Sequence, residues 1–400
     1  MKPTYKTTIF ACFVAYVVQA IVNNFAPLLF VTFQKTYSIP LSQITLLVTI
    51  NFAVQLCVDL LATKLVDKIG YRPCIITSQA VSAIGLVLLM LLPELIDPFT
   101  GILIAVIVYA VGGGLMEVLV SPIVESCPTD NKEKAMSLLH SFYCWGTVGV
   151  VLLSTLFFWA FGIQNWRILT CVWAAIPVVN SFLFAKAPIA PLLSEDEKGM
   201  TVRQLFANAT FWLFVGMMFF TGASEQSVSQ WASVFAEQGL GISKTAGDLA
   251  GPMTFAVCMG IARTFYGKKG DKINLDVFML VSGVLCIFSY LLASVTPWAW
   301  LNLVGCALCG FSTAIMWPGS FSKSTVALKT GGTAMFALLA LAGDLGCSLG
   351  PTLVGFVSDA LGGDMKMGIF AATVFPVLLT VTLVIDFFRK RNKAKSIKEE

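Results

Sequence analysis

Charge is what this chain has least of. Asp, Glu, Lys and Arg make up 12% of its 400 residues, against 57% hydrophobic residues. A soluble domain of that length could not keep so much apolar surface from water, so the composition demands an integral, polytopic membrane protein. No G-x-x-x-x-G-K-[ST] loop is present, and no long polar segment remains once the apolar runs are removed. Both absences argue against a large nucleotide-hydrolysing motor. Nothing pairs a nucleophile with a base or gathers metal ligands, so the chain does not read as an enzyme. The eleven cysteines are odd in number and lie mostly inside apolar runs, as at Cys12, Cys57, Cys144, Cys258 and Cys286. They form no disulfide framework. Cys306 and Cys309 are neighbours on one helix face and read as packing residues. No small-residue cleavage site follows the first apolar run, which is expected to stay as a signal-anchor.

What is there is a series of apolar runs of about 20 residues, the length of a transmembrane helix. Twelve spans are expected, near 7–31, 41–65, 74–93, 99–124, 134–159, 166–185, 204–224, 245–267, 276–294, 297–320, 331–357 and 367–388. The predicted fold is an all-α integral membrane protein with twelve transmembrane helices in two pseudo-symmetric six-helix bundles. The bundles cover 1–185 and 204–400, joined by a polar linker at 186–203 and closed by a basic tail. Of the 26 Lys and Arg residues, all but Lys35, Arg167, Lys244 and Lys366 fall on the side holding both termini. The positive-inside rule makes that side cytoplasmic. The inner membrane surface accounts for the basic excess, so no nucleic-acid partner is expected.

A charged, Gly-punctuated hexapeptide, Asp67-Lys68-Ile69-Gly70-Tyr71-Arg72, lies between spans 2 and 3. Its cadence returns as Asp271-Lys272-Ile273 between spans 8 and 9. Charges are costly in hydrocarbon, so each run is expected to be a turn at a membrane face. Ser121-Pro122 with Ala135-Met136, and Trp317-Pro318 with Ala334-Met335, echo in the same order. Such echoes point to a six-plus-six duplication, an architecture typical of solute carriers.

Polar residues inside spans are expensive, and each invites a functional reading. Glu117, Ser121 and Glu125 follow i, i+4, i+8 along one face of span 4. Gly112-Gly113-Gly114 just before them permits close helix approach. Glu117 serves either a solute path or a structural bond to a neighbouring helix. His140 in span 5, the only histidine, can titrate near neutral pH or donate to a hydroxyl, and equally can make a packing bond. Asn23 and Asn24 in span 1, with Gln19, and Asn51 and Gln55 in span 2 can bind a sugar hydroxyl or join helices. Asp59 sits close enough to the cytoplasmic surface to gate or snorkel. Glu225, at the end of span 7, precedes Trp231, and a carboxylate near an indole suits a polyol. An interfacial tryptophan beside a solvated glutamate is the rival reading. Asp344 in span 11 lies roughly 20 Å from the cytoplasmic end at helical rise, with no base adjacent in sequence.

Together these residues resemble the major facilitator superfamily. Asp67 to Arg72 is similar to its D-R-x-G-R-[RK] signature, with Tyr71 where a basic residue is usual. Within the superfamily the chain resembles the fucose:proton symporter family. Leu115 to Pro122 is similar to its span 4 pattern, with Ser121 replacing Asn. Ala135 to Gly146 is similar to its span 5 pattern, with His140 in place of Gln. Glu225 through Trp231, Trp317 to Ser322, and Gly355 to Asp359 are similar to its later motifs. The resemblance implies proton-coupled sugar uptake with the span 4 glutamate near the solute. One family acid is missing: aligning Pro27 puts Ala26 where span 1 usually carries it.

The sequence therefore leads us to expect a monomeric secondary transporter of the plasma membrane, the inner membrane if bacterial. It would move a small polar solute, a sugar or polyol, and use no cofactor beyond a proton or sodium gradient. Asn23, Asn24, Glu117, His140, Glu225 and Trp231 are the candidate solute residues. Glu117 and Asp344 are the candidate ion-coupling residues, and Asp67, Lys68, Gly70 and Arg72 the candidate gate. An exporter of amphipathic compounds and a transport-derived binding sensor remain alternatives.

Overall fold

In a computed structural model of the chain, the described residues are 4–39, 41–129, 131–190, 199–232, 235–236, 246–247, 249–362 and 364–399. Six helices occupy the first half: α1 Tyr5–Tyr37, α2 Leu41–Ile69, α3 Tyr71–Leu95, α4 Pro98–Ser126, α5 Lys132–Phe161 and α6 Trp166–Lys186. Six follow: α7 Ala209–Ser229, α8 Thr254–Lys269, α9 Leu275–Val295, α10 Ala299–Ala327, α11 Gly332–Ala360 and α12 Met365–Arg391. Each expected span overlaps one of these helices, although the seventh and eighth, 204–224 and 245–267, were expected to begin before Ala209 and Thr254, where α7 and α8 start. Nine of the twelve helices are long and apolar enough to cross a membrane, counting described residues only; α2, α7 and α8 fill the remaining places. No strand occurs among the described residues.

Local sequence sets the helix starts. Asn131, Asn208 and Asn274 cap α5, α7 and α9, each side-chain oxygen accepting from a first-turn backbone amide. Asp97 caps α4, with Pro98 in the first turn, where its missing N–H costs nothing. The Asn208 cap corrects the expected start of span 7. A short helix, Val202–Phe206, precedes it, and α7 runs from Ala209 to Ser229. Glu225 is thus inside a helix, not at its end.

The hexapeptide is not a turn throughout. Asp67 to Ile69 finish α2, and Tyr71 opens α3. Gly70 alone breaks the helix, at φ +95° and ψ 151°, a region essentially reserved for glycine. The echo between α8 and α9 is built differently, as a 3-10 turn over Gly270–Lys272, with Gly270 at φ −54°. The side chains of Asp67, Asp271 and Asp359 lie outside the described residues.

The chain forms two compact units. One is Met1–Val202 with Thr330–Leu341, the start of α11; the other is Arg203–Lys329 with Ala342–Glu400. The same helix pairs recur inside each. The third helix lies along the fourth, as α3 on α4 and α9 on α10. The second and first also meet the fourth, and the first and third meet the sixth.

The α4 glycines set the first unit. Successive helical residues point about 100° apart, so Gly112, Gly113 and Gly114 face three neighbours. A Cβ at Gly112 would meet Ser82 Oγ of α3 at 2.1 Å, at Gly113 Gln19 of α1 at 3.2 Å, and at Gly114 the Gln55 Cα of α2 at 3.1 Å. Helices pack this closely in lipid because small residues let backbones approach. Glu117 is thereby delivered between α1 and α2.

Three charged residues differ from expectation. Asp59 is fully buried and does not snorkel. Arg263 and Lys323, counted among the basic residues of the side holding both termini, are 2% and 3% exposed. Lys323 pairs with Asp276 of α9 and with Asp386 of α12 at 2.6 Å, and Lys390 joins Asp276 at 3.0 Å. Lys323, and Arg263 with Glu225 at 3.3 Å, are buried with an opposite charge beside them.

Candidate functional site

In the first unit a ladder of polar side chains runs up one face of α1. Tyr16, Gln19 and Asn23 follow a spacing of three and four, which stacks them on one stripe. At one end Tyr16 Oη, Ser121 Oγ of α4 and His140 Nε2 of α5 close a hydrogen-bonded triangle with sides of 3.1, 3.4 and 3.3 Å. All three residues are buried. In the middle Gln19 Nε2 donates to Glu117 Oε2 at 3.3 Å and to Gln55 Oε1 at 3.4 Å. At the other end Asn23 Oδ1 accepts from Gln55 Nε2 at 3.3 Å and from Asn51 Nδ2 at 3.5 Å. Glu117 and Asn23 are half-buried. Four helices thus contribute to two hydrogen-bonded clusters stacked along the α1 stripe.

Asn24 points a different way. Its amide donates to Ala20 O at 2.9 Å, one turn back, and reaches Tyr143 Oη and Thr147 Oγ1 of α5 at 3.4 and 3.3 Å. This ties α1 to α5, the helix-joining role that amides were expected to share.

The second unit holds a buried charge pair. Arg263 Nη2 of α8 lies 3.3 Å from Glu225 Oε2 of α7, and both residues are under a tenth exposed. Arg263 Nε donates to the Ala314 carbonyl at 2.7 Å, where α10 is interrupted. Glu225 and Trp231, paired in the sequence reading, are held by different helices. The Trp231 Nε1–H donates to Pro351 O of α11 at 3.0 Å, and its ring lies over Gly355. Asp344 is buried on α11 beside Gly343, against which the Trp317 indole is packed so closely that a Cβ would meet it at 2.2 Å.

The gate candidates sit at the α2–α3 junction. Lys68 is exposed, while Arg72 donates to the carbonyls of Phe184 and Ala185 at 3.3 and 2.7 Å. Those carbonyls end α6 and have no intrahelical donor to meet them. Arg72 therefore caps a neighbouring helix within its own unit.

Tyr16 and Arg263 were missed by sequence reasoning. Tyr16 was legible as the first step of the 16, 19, 23 stripe. Arg263 stands five residues before Lys268-Lys269 and reads as part of that basic end; its partners are 38 and 51 residues away in sequence. Among the described residues no group of three or more His, Cys, Asp or Glu could hold a metal ion.

Residues 8–351 match the model of the Major Facilitator Superfamily. The membrane protein MosC of Rhizobium meliloti is 21% identical over 333 residues, covering 82% of this chain and 78% of that protein. Among solved structures, the fold is similar to that of FucP in its outward conformation, with TM-score 0.77 and 16% identity over 94% of this chain and 98% of that one. FucP is the fucose:proton symporter of E. coli. It is also similar to the proton:xylose symporter XylE, with TM-score 0.80 and 12% identity over 95% of this chain and 94% of that one. The chain is a multi-pass membrane transporter and not an enzyme, and it belongs to the Major Facilitator Superfamily.

Proposed function

We propose that the protein is an ion-coupled carrier of a neutral polyhydroxyl solute, a sugar or polyol. It acts at the plasma membrane, with both termini cytoplasmic, by alternating access of its two halves. The observation that carries this reading is the ladder on α1. Four amides, two hydroxyls, an imidazole and a single carboxylate converge between apolar helices. An amide offers donors and an acceptor at once, which matches a hydroxyl that both donates and accepts. A few convergent polar groups in an apolar frame are the usual form of a small-molecule site. The fold similarity to FucP and XylE, whose names give fucose and xylose with protons, points the same way.

The ladder also suggests how an ion enters the cycle. Gln19 donates to the Glu117 carboxylate. A proton on Glu117 turns part of that acceptor into a donor, so the Gln19 amide must reorient. Gln55 and Asn23 follow through their shared bonds. Asp344 on α11 is the second proposed coupling acid, standing in for the absent acid at Ala26. A proton or a sodium ion satisfies this scheme. By its differential affinity such an ion shifts the balance between conformations.

The test is a thermal-shift screen followed by uptake into proteoliposomes, using L-fucose, D-xylose, D-glucose and myo-inositol. A bound solute stabilises the native state. At least one of the four should raise the unfolding temperature and accumulate when an inward proton or sodium gradient is imposed. Stabilisation by amphipathic compounds alone, followed by their export, would replace this reading. Saturable binding without accumulation would make the protein a sensor.

A further inference from the structure

The buried arginine of the second unit donates to the Ala314 carbonyl and pairs with Glu225, and the first of these acceptors is open because of a proline. In an unbroken helix the amide of residue 318 would donate to the carbonyl of residue 314. Residue 318 is Pro318, which has no N–H. The chain interrupts its helix at Ala314–Ile315 and resumes at Met316. Arg263 Nε occupies the opened Ala314 carbonyl at 2.7 Å. The same guanidinium meets Glu225 on α7 at 3.3 Å. Beyond the break, Trp317 carries the connection to α11, its ring lying on Gly343 next to Asp344.

We propose that Arg263 is a positioning residue for transport. It fixes the break in α10 by filling the carbonyl that Pro318 leaves open, and it ties that break to Glu225 on α7. Two features make a plain structural role insufficient. A buried charge pair alone needs no neutral carbonyl, yet the guanidinium fork is spent on both. A proline kink alone is commonly satisfied by a nearby hydroxyl or water; here a charged side chain from another helix does it. The arrangement makes the angle of α10, and with it the seat of Trp317 on α11, depend on what holds Glu225. The inference rests on the chain being a transporter and is independent of which solute it moves.

The test is a double-mutant cycle on the full-length protein in lipid nanodiscs, read by amide hydrogen exchange without solute. Arg263→Lys keeps the charge beside Glu225, but its compact ammonium has no fork with which to serve both acceptors. Exchange over residues 311–322 should rise about tenfold while α9 and α12 stay unchanged. Pro318→Ala restores the amide that closes on Ala314. In that background Arg263→Lys should no longer raise exchange at the break, because the carbonyl has its own donor. In proteoliposomes Arg263→Lys should slow L-fucose counterflow about tenfold with half-saturation within about threefold, an effect absent when Pro318→Ala is already present. Additive effects of the two substitutions, or a rise in exchange spread evenly over the second unit, would overturn the proposal. A wild type that moves no L-fucose counts against the sugar reading alone, and the exchange cycle then decides the role of Arg263.

Discussion

Gly346→Ala is the sharpest test of how the second unit is packed. Gly346 of α11 faces α7 so closely that an added Cβ would lie 2.0 Å from the Phe219 carbonyl oxygen, 2.8 Å from the Ala223 nitrogen and 2.9 Å from the Phe219 carbonyl carbon. All three are backbone atoms and cannot swing aside. Ordinary contact begins at 3.4 Å, so the helices must part by roughly 1 Å, enough to forfeit much of the attraction between their atoms. The loss extends along the row, because Gly222 meets Gly343 O and Gly350 meets Ala223 O across the same seam, at 2.1 and 2.6 Å for a built Cβ. Overpacking of this kind costs about 1–3 kcal/mol, which outweighs the roughly 0.5–1 kcal/mol that Ala gains over Gly in a helix. Gly149→Ala on α5 is the control, since a Cβ there meets nothing within 4 Å. Thermal unfolding of the purified variants should place Gly346→Ala below wild type and Gly149→Ala at or above it. Equal stability of the two variants would refute the packing argument.

Three further outcomes follow from particular residues. Gly70→Ala forces a side chain into a glycine-only backbone region at a cost of about 1–3 kcal/mol; if this junction gates transport, turnover should fall while solute binding, read by thermal shift, holds within a few-fold. Thr100 donates its amide and hydroxyl to the Asp97 cap and holds that carboxyl below its ordinary range, so its contribution is complete above the unfolded value of about 3.9 and fades as pH falls through the lower folded one. Asp97→Ala should therefore lower the thermal midpoint at neutral pH, and the deficit should close in acid; a deficit constant with pH would remove the carboxylate from the account. Asp344→Asn should abolish the dependence of uptake on the imposed ion gradient while solute exchange survives, and unchanged ion dependence would reduce Asp344 to an interhelical bond.

Much of the fold was legible because lipid imposes simple rules. Apolar runs of span length, broken by charge, located the twelve long helices among the described residues, and the echoes of Asp67-Lys68-Ile69 and Trp317-Pro318 pointed to a repeat whose helix pairs recur in the two units. What went astray was decided by single side chains. The Asn208 cap shifted α7 toward the C-terminus and drew Glu225 into a helix. Arg263 and Lys323 read as surface charge because a charge is cheap only in water or beside an opposite charge, and sequence spacing shows the first condition but not the second. The ladder on α1 was half visible: its amides and Glu117 were singled out, but the Tyr16–Ser121–His140 triangle requires three helices to meet. Glu225 and Trp231 are close in sequence, yet one is held by α8 and the other by α11.

The central claim is that the ladder around Glu117 moves a polyhydroxyl solute with an ion. Glu117→Gln in proteoliposomes tests it most directly, because the amide keeps the shape and an acceptor for Gln19 but cannot titrate. Exchange of labelled L-fucose with no gradient should stay within about threefold of wild type, while accumulation driven by an inward ion gradient is lost. Equal loss of exchange and accumulation, or accumulation that persists in the variant, would contradict the account.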